Sequence, residues 1–296
     1  MTICSQTIKS EAQRLGFLRC GIAQATPVDD AVAEHYRRWI EEGRQAGMQY
    51  LENHIEKRLD PQQLVEGVRS IVSVAMNYYP SQTVPGIAWY AQGKDYHDLI
   101  KDRLCQLMQS IGGHGRCFVD TAPVLERYWA WRCGIGWIGR HSQIVAPGIG
   151  SAFFLGELFI EEEVDEYDTP IENHCGNCHK CIEACPTGAI AETFDSRKCL
   201  SYLTIENRGP LPDWAGEKMG DVFYGCDRCM KACPHLHALP TTETAMQPNE
   251  ELLAMTRDDW RELTVEQYQR LFKGSAVKRA KFEGLTRNIS AINRKP

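Results

Sequence analysis

The sequence predicts an α+β protein: a sheet-and-helix body over residues 1–165, a small cysteine-rich unit over 166–240 and a short helical region over 241–296. Three observations lead there. In the first half, short β-branched runs alternate with stretches of helical period. Eight cysteines then crowd between positions 175 and 233. Past Leu236 the chain has an amphipathic helical stretch over 265–272.

Each element follows from its residues. Ile8, Ala12 and Leu15 stand at helical spacing, giving a helix over 3–16. Phe17 to Ile22 reads as a short strand, and Asp29 to Glu42 as a helix carrying Tyr36, Trp39 and Ile40. Pro61, after Lys57-Arg58-Leu59-Asp60, marks a helix boundary. The nearly unbroken apolar run from Ser70 to Tyr79 predicts a strand buried on both faces. A helix over 95–112 groups Leu99, Leu104 and Leu107, and a strand from Cys117 ends on Asp120. A helix from Val124 to Cys133 runs into Gly134-Ile-Gly136-Trp-Ile-Gly139. Ser142–Ala146 and Ser151–Ile160 are expected as strands joined in a hairpin at 147–150. Residues 161–173 are acidic and linker-like.

The 296 residues leave room for one large domain and a small insert, at roughly 100–200 residues per domain. A net charge of −6 excludes a uniformly basic surface but not a local basic patch. No window approaches the ~18 apolar residues that cross a bilayer. The N-terminal residues show no signal core and no twin arginine, so the expected location is a reducing cytoplasm. There, thirteen cysteines are not a disulfide framework. Cys4, Cys20, Cys105, Cys117 and Cys133 are scattered and read as ordinary small residues.

The remaining eight form a pattern. Cys175, Cys178, Cys181 and Cys185-Pro186 follow the C-x2-C-x2-C-x3-C-P spacing of bacterial ferredoxins, in which the fourth cysteine ligates the other cluster. The second run, Cys226, Cys229 and Cys233-Pro234, lacks one member, and Cys199 is the replacement between the runs. The expected assignment places Cys175, Cys178, Cys181 and Cys233 on one [4Fe–4S] cluster and Cys185, Cys199, Cys226 and Cys229 on the other. A structural zinc site would have no use for the third close cysteine or the C-x3-C-P tail. Two clusters imply electron transfer.

Four further features carry less. Gly134-Ile-Gly136-Trp-Ile-Gly139 matches G-x-G-x-x-G, but a helix precedes it and a strand follows, the reverse of a dinucleotide site. Asp95-Tyr-His97 matches the start of the D-x-H-x-x-G cobalt-ligating signature, which fails at Ile100, so His97 reads as a surface or capped histidine. Asp120 reads equally as an N-cap before Pro123 or as a proton donor at a sheet mouth. Lys273, Lys278, Arg279, Lys281, Arg287, Arg294 and Lys295, with Glu283 as the one acid among them, read as a phosphate-contacting surface or a solvated helix end.

Taken in order, Asp120-Thr-Ala-Pro-Val-Leu-Glu126-Arg127, Gly134–Gly139, Gly150-Ser151, the first cysteine run, Cys199-Leu-Ser201-Tyr202-Leu-Thr204-Ile-Glu206, Tyr224-Gly-Cys226-Asp227 and Gly274-Ser-Ala-Val-Lys-Arg279 through Arg287-Asn288 closely resemble the epoxyqueuosine reductase family. The resemblance runs from about residue 5 to residue 292. It implies a cobalamin-binding α/β domain of nitroreductase and reductive-dehalogenase type, beside a two-cluster ferredoxin-like insert. The implied reaction reduces epoxyqueuosine to queuosine at the wobble position of tRNA. Electrons pass through the two clusters to cob(I)alamin, which attacks the epoxide, and Asp120 donates the proton. For that role Asp120 is expected to have a pKa raised by burial. By position, Arg58, Tyr90, Asp120, Ile144, Ala146, Leu155 and Ser201 match cobalamin contacts, and Arg208 a tRNA contact. The cobalamin is expected base-off, without a histidine on cobalt. The implied partners are tRNA with a GUN anticodon and a flavodoxin- or ferredoxin-type electron donor, with no membrane and a monomeric state. The helical-repeat domain of many members is expected to be missing or a stub. Ser201 lies two residues from Cys199, so the cluster of Cys185, Cys199, Cys226 and Cys229 is expected nearest the cobalt. The competing readings are a cobalamin-dependent reductive dehalogenase and a non-enzymatic two-cluster electron carrier.

Overall fold

The computed structural model describes residues 2–293, so Arg294 and Lys295 of the basic run lie outside the described residues. In chain order, the body is α1 (Ser5–Arg14), β1 (Arg19–Gln24), α2 (Asp30–Glu41), β2 (Ser70–Asn77), α3 (Tyr96–Ser110), β3 (Gly115–Phe118), α4 (Glu126–Arg132) and β4 (Phe153–Ile160). The four strands form one sheet in the order β1-β2-β4-β3, and every pairing is antiparallel.

Alternation along the strands sorts side chains onto two buried faces. Val72, Val74, Met76, Phe154 and Leu158 meet Ile8 and Ala12 of α1 and Ile100, Leu104 and Leu107 of α3. Ile71, Ala75, Phe118, Phe153 and Phe159 meet Tyr128, Trp129 and Ala130 of α4. The expectation that β2 is buried on both faces holds for this reason: helices cover both sides of the sheet. Gly156 of β4 lets α3 approach, since a Cβ there would lie 2.8 Å from Ile100.

The hairpin expected at 147–150 is a correction. Ile144–Val145 pairs with Trp137–Ile138, not with β4, whose neighbours are β2 and β3. Gly136 permits this close pairing, because a Cβ there would come within 2.3 Å of the Val145 carbonyl oxygen. Residues 146–150 close as a tight loop, with Ala146 and Gly150 exchanging backbone bonds of 2.8 and 3.0 Å.

Each cysteine run contains a one-turn helix, Lys180–Glu183 in the first and Arg228–Lys231 in the second, and the two pack against each other. Cys199 caps α5 (Leu200–Ile205). A third core joins Val84, Ile87 and Ala91 to Leu203, Met219, Phe223 and Tyr224 and then to Trp260, Phe272 and Leu285. Residues on either side of positions 165 and 240 thus share one apolar cluster. The final helix, α6 (Lys281–Asn293), is fastened by Asn288, which is fully buried and donates to the Thr204 and Phe223 carbonyls at 2.8 and 2.9 Å. Arg287, read from the sequence as either phosphate-contacting or part of a solvated helix end, is instead taken up by backbone carbonyls. Its guanidinium donates to the carbonyls of Leu203, Asn207 and Gly209, which satisfies the carbonyls around the end of α5.

Candidate active site

The site grows from the end of β3. Two residues past Phe118 the chain turns at Asp120 into the left-handed region, φ +55°, which aspartate tolerates better than most residues. Leu125 precedes α4 as its N-cap, so the N-cap reading of Asp120 is excluded. The turn is held by Glu126 on α4, whose carboxylate accepts the Asp120 backbone N–H. The Asp120 side chain is 59 % exposed yet has protein around most of it, the signature of a cleft floor rather than a convex surface.

Two groups from the start of α3 meet that carboxylate. Tyr96 Oη donates to Asp120 Oδ2 at 2.9 Å. His97 Nε2 lies 3.4 Å from the same oxygen, within ion-pair reach but misaligned for a hydrogen bond. His97 Nδ1 contacts Asp95 Oδ1 at 2.5 Å, and Asp95 also caps the helix through the His97 N–H. Tyr96 is stacked between Phe154 and His97, with ring centroids 3.9 and 4.2 Å away.

These contacts set the proton distribution. The carboxylates of Asp120 and Asp95 flank His97 and raise its pKa to about 10, so the imidazolium is the stable form at neutral pH. Burial pushes the Asp120 carboxyl up, but the contacts from His97 and Tyr96 outweigh it, and the net shift is downward. The expected upward shift of Asp120 is therefore reversed: the stored proton sits on His97. Behind Asp120, burial and then the Asp120 charge raise Glu126 to about 7. Glu157 sits in mid-sheet on β4, fully buried, with Ser73 Oγ donating to it at 3.3 Å. Burial and the Glu126 charge push its carboxyl well above the usual range. Tyr96, Glu126 and Glu157 were given no role from the sequence, and His97 was set aside there as a surface or capped histidine. One legible signal was Glu157, a lone charge in the apolar run Phe153–Ile160.

The other expected contacts lie on several separate elements. Arg58 is buried, and its guanidinium donates to the Tyr50 and Asn53 carbonyls at 2.8 and 3.3 Å. Tyr90 stands edge-on to Phe154 at 6.3 Å, its hydroxyl 3.5 Å from that of Tyr224. Ile144 and Ala146 are buried in the α4-side core, Leu155 is half-buried against it, and Ser201 is half-buried in the first turn of α5. Arg208 is exposed and donates to the Ile205 carbonyl at 3.2 Å. The 137–151 segment also carries three buried polar atoms without a partner, Trp137 Nε1, His141 Nε2 and Ser151 Oγ. Unpaired buried polar groups call for a ligand or water.

The cysteines fall into two sets. Cys175 and Cys233 both act on Cys181, and Cys175 and Cys178 on Cys233, so these four share one neighbourhood. Cys185 acts on Cys199, Cys226 and Cys229, and Cys226 and Cys199 act on Cys229. Among the described residues no three such side chains converge on a single point.

Comparison with known proteins agrees with this organisation. Residues 58–121 match the family described as epoxyqueuosine reductase QueG, and residues 174–235 match the 4Fe-4S double cluster binding domain. An epoxyqueuosine reductase of Cellulophaga algicola is 43 % identical over 97 % of this chain and 97 % of its own length. That of Escherichia coli is 36 % identical over 97 % of this chain and 79 % of its own length. A crystal structure of epoxyqueuosine reductase with an epoxyqueuosine-modified tRNA-Tyr stem loop superposes with a TM-score of 0.88 at 28 % identity, covering 97 % of this chain and 80 % of that one. With near-complete coverage at such identity, and an iron–sulfur domain where the cysteines cluster, the chain belongs to the epoxyqueuosine reductase family.

Proposed function

We propose that this protein removes the epoxide oxygen of epoxyqueuosine at the wobble position of a GUN-anticodon tRNA, leaving queuosine. The observation that carries the reading is the Asp120 floor: a carboxylate in a concave cleft, with a proton stored on His97 beside it. Conversion of an epoxide to an alkene consumes two electrons and two protons and releases water. Cobalamin, when bound in the cleft, supplies a strongly nucleophilic reduced cobalt. The walls near Arg58, Tyr90, Ile144, Ala146, Leu155 and Ser201 suit it by position, and the unpaired polar atoms of 137–151 support a ligand there. His97 is engaged by Asp95 and Asp120 and would not be free to ligate cobalt, which fits the base-off state expected from the family resemblance.

Asp120, ionised at rest, takes the proton held by His97 and passes it to the oxygen that opens, with Tyr96 keeping the carboxylate oriented and solvent supplying the second proton. Cys185, Cys199, Cys226 and Cys229 hold the cluster nearer the cleft, because α5 begins on Cys199 and carries Ser201. Cys175, Cys178, Cys181 and Cys233 hold the outer one, which a flavodoxin- or ferredoxin-type donor reduces. Residues 1–165 serve as the catalytic body, 166–240 as the cluster unit and 241–296, with Arg208 nearby, as the tRNA-facing region. The setting is a cytoplasmic monomer, and no described helix is long and apolar enough to cross a membrane.

The test is anaerobic incubation with cobalamin, a low-potential reductant and epoxyqueuosine-containing tRNA, followed by digestion and mass analysis. Loss of one oxygen from the modified nucleoside is expected; an unchanged mass under conditions where both clusters and the corrinoid are reduced rejects the reading.

A further inference from the structure

Tyr50 is exposed, at 44 % among the most open aromatic rings of the described residues, yet its backbone is unusually well tied down. Tyr36 Oη donates to the Leu51 carbonyl at 2.6 Å, buried Arg58 donates to the Tyr50 carbonyl at 2.8 Å, and the Gly47 N–H donates to Tyr202 Oη at 2.9 Å. Three side chains from three elements hold a loop whose central ring faces outward.

The Arg279 guanidinium carbon lies 5.7 Å from the centre of that ring. Arg279 is itself locked, with Nε and Nη2 donating to the two oxygens of Glu206 at 2.8 and 2.9 Å. A fork bound to a carboxylate along its edge has that edge spent and its charge balanced. What it still offers is a flat face.

The pair adjoins the Asp120 floor. The Gly274 carbonyl, five residues before Arg279, accepts the Asp95 N–H at 2.7 Å, and Asp95 holds the histidine that faces Asp120. The Asp120 charge also reaches both Tyr50 and Arg279.

We propose that Tyr50 and Arg279, fixed by Glu206, form a stacking platform for the purine-type wobble base of an RNA loop, holding it at the cleft mouth while its substituent reaches Asp120. Aromatic rings and guanidinium planes are the surfaces on which splayed RNA bases stack. The inference rests on the proposed function for the identity of the base, not for the stacking.

Binding measured by fluorescence anisotropy separates the two. Anticodon stem-loop RNAs carrying either guanine or an abasic site at the wobble position are titrated against the holoprotein. The wild type should prefer guanine by about tenfold, in the range for one base stacked on an aromatic ring. Tyr50→Ala and Arg279→Lys should lose most of that preference, and Tyr50→Phe should keep it, with iron content unchanged in all three. Equal binding of the two RNAs by wild type, or a preference that survives Tyr50→Ala, overturns the platform. Preference without deoxygenation would reject the proposed reaction while leaving the platform standing; deoxygenation without preference would do the reverse.

Discussion

His97 and Asp120 divide one task between them. The carboxylate points at the cleft but is ionised, while the imidazolium holds a proton that the carboxylate can borrow. Asp120→Asn keeps the shape and removes the transfer, so turnover should fall by at least about 100-fold, the usual span for losing a general acid. Absorbance of the clusters and corrinoid uptake should be unchanged; near-normal turnover would reject the role. His97 makes a second prediction through stability. Its pKa rises from 6.5 to about 10 on folding, so its contribution is complete below about pH 6.5 and is withdrawn as pH climbs through about 10. Thermal unfolding of wild type should therefore lose its margin over His97→Gln across that window, and a constant margin would refute the pairing. None of this distribution was legible in the sequence. Asp120 stood out because of its neighbours in the chain, but its proton balance depends on Tyr96 and His97, more than twenty positions earlier.

At the scale of elements, the cysteine runs were the easiest part to read, because the spacing is local and a one-turn helix within each run fixes it. Cys199 was found by what the second run lacked. Replacing it by serine should reduce iron from about eight to about four atoms per chain, with the cluster of Cys175, Cys178, Cys181 and Cys233 surviving; full loss or full retention of iron would break the assignment. Pairing of short strands was harder to read. Ile144–Val145 and Phe153–Ile160 are adjacent in sequence and apolar, which suggests a hairpin, yet the room made by Gly136 gives the shorter strand a nearer partner. The docking of α6 was visible as the motif Arg287-Asn288 but not as a mechanism. Asn288→Ala would leave the Thr204 and Phe223 carbonyls buried and unpaired, a cost of about 2–3 kcal/mol. Denaturant midpoints would show it, and a change under about 0.5 kcal/mol, typical of surface substitutions, would contradict the burial.

For the whole molecule, the question is how a chain of net charge −6 holds a polyanion. With Arg287 and Arg279 paired within the chain, Lys273, Lys278 and Lys281 are the exposed cations left in the described part of the basic run, so tRNA binding should show the salt slope of only a few phosphate contacts. Arg208→Ala should lower the slope of log K against log salt by about one and weaken binding uniformly across anticodon sequences. An unchanged slope would remove Arg208 from the interface. The helix and strand layers were legible from periodicity alone; the joining of the first and last regions in one core was not, since nothing in a local pattern tells Val84 that it will meet Leu285. That joining bears on how the protein is made. Asp95 leans on the Gly274 carbonyl, and Tyr224 Oη donates to the Ala276 carbonyl at 2.6 Å. A ribosome delivers the sheet first, the iron-binding cysteines next and this brace last. The cleft is therefore unfinished until the segment around Gly274 has emerged and docked.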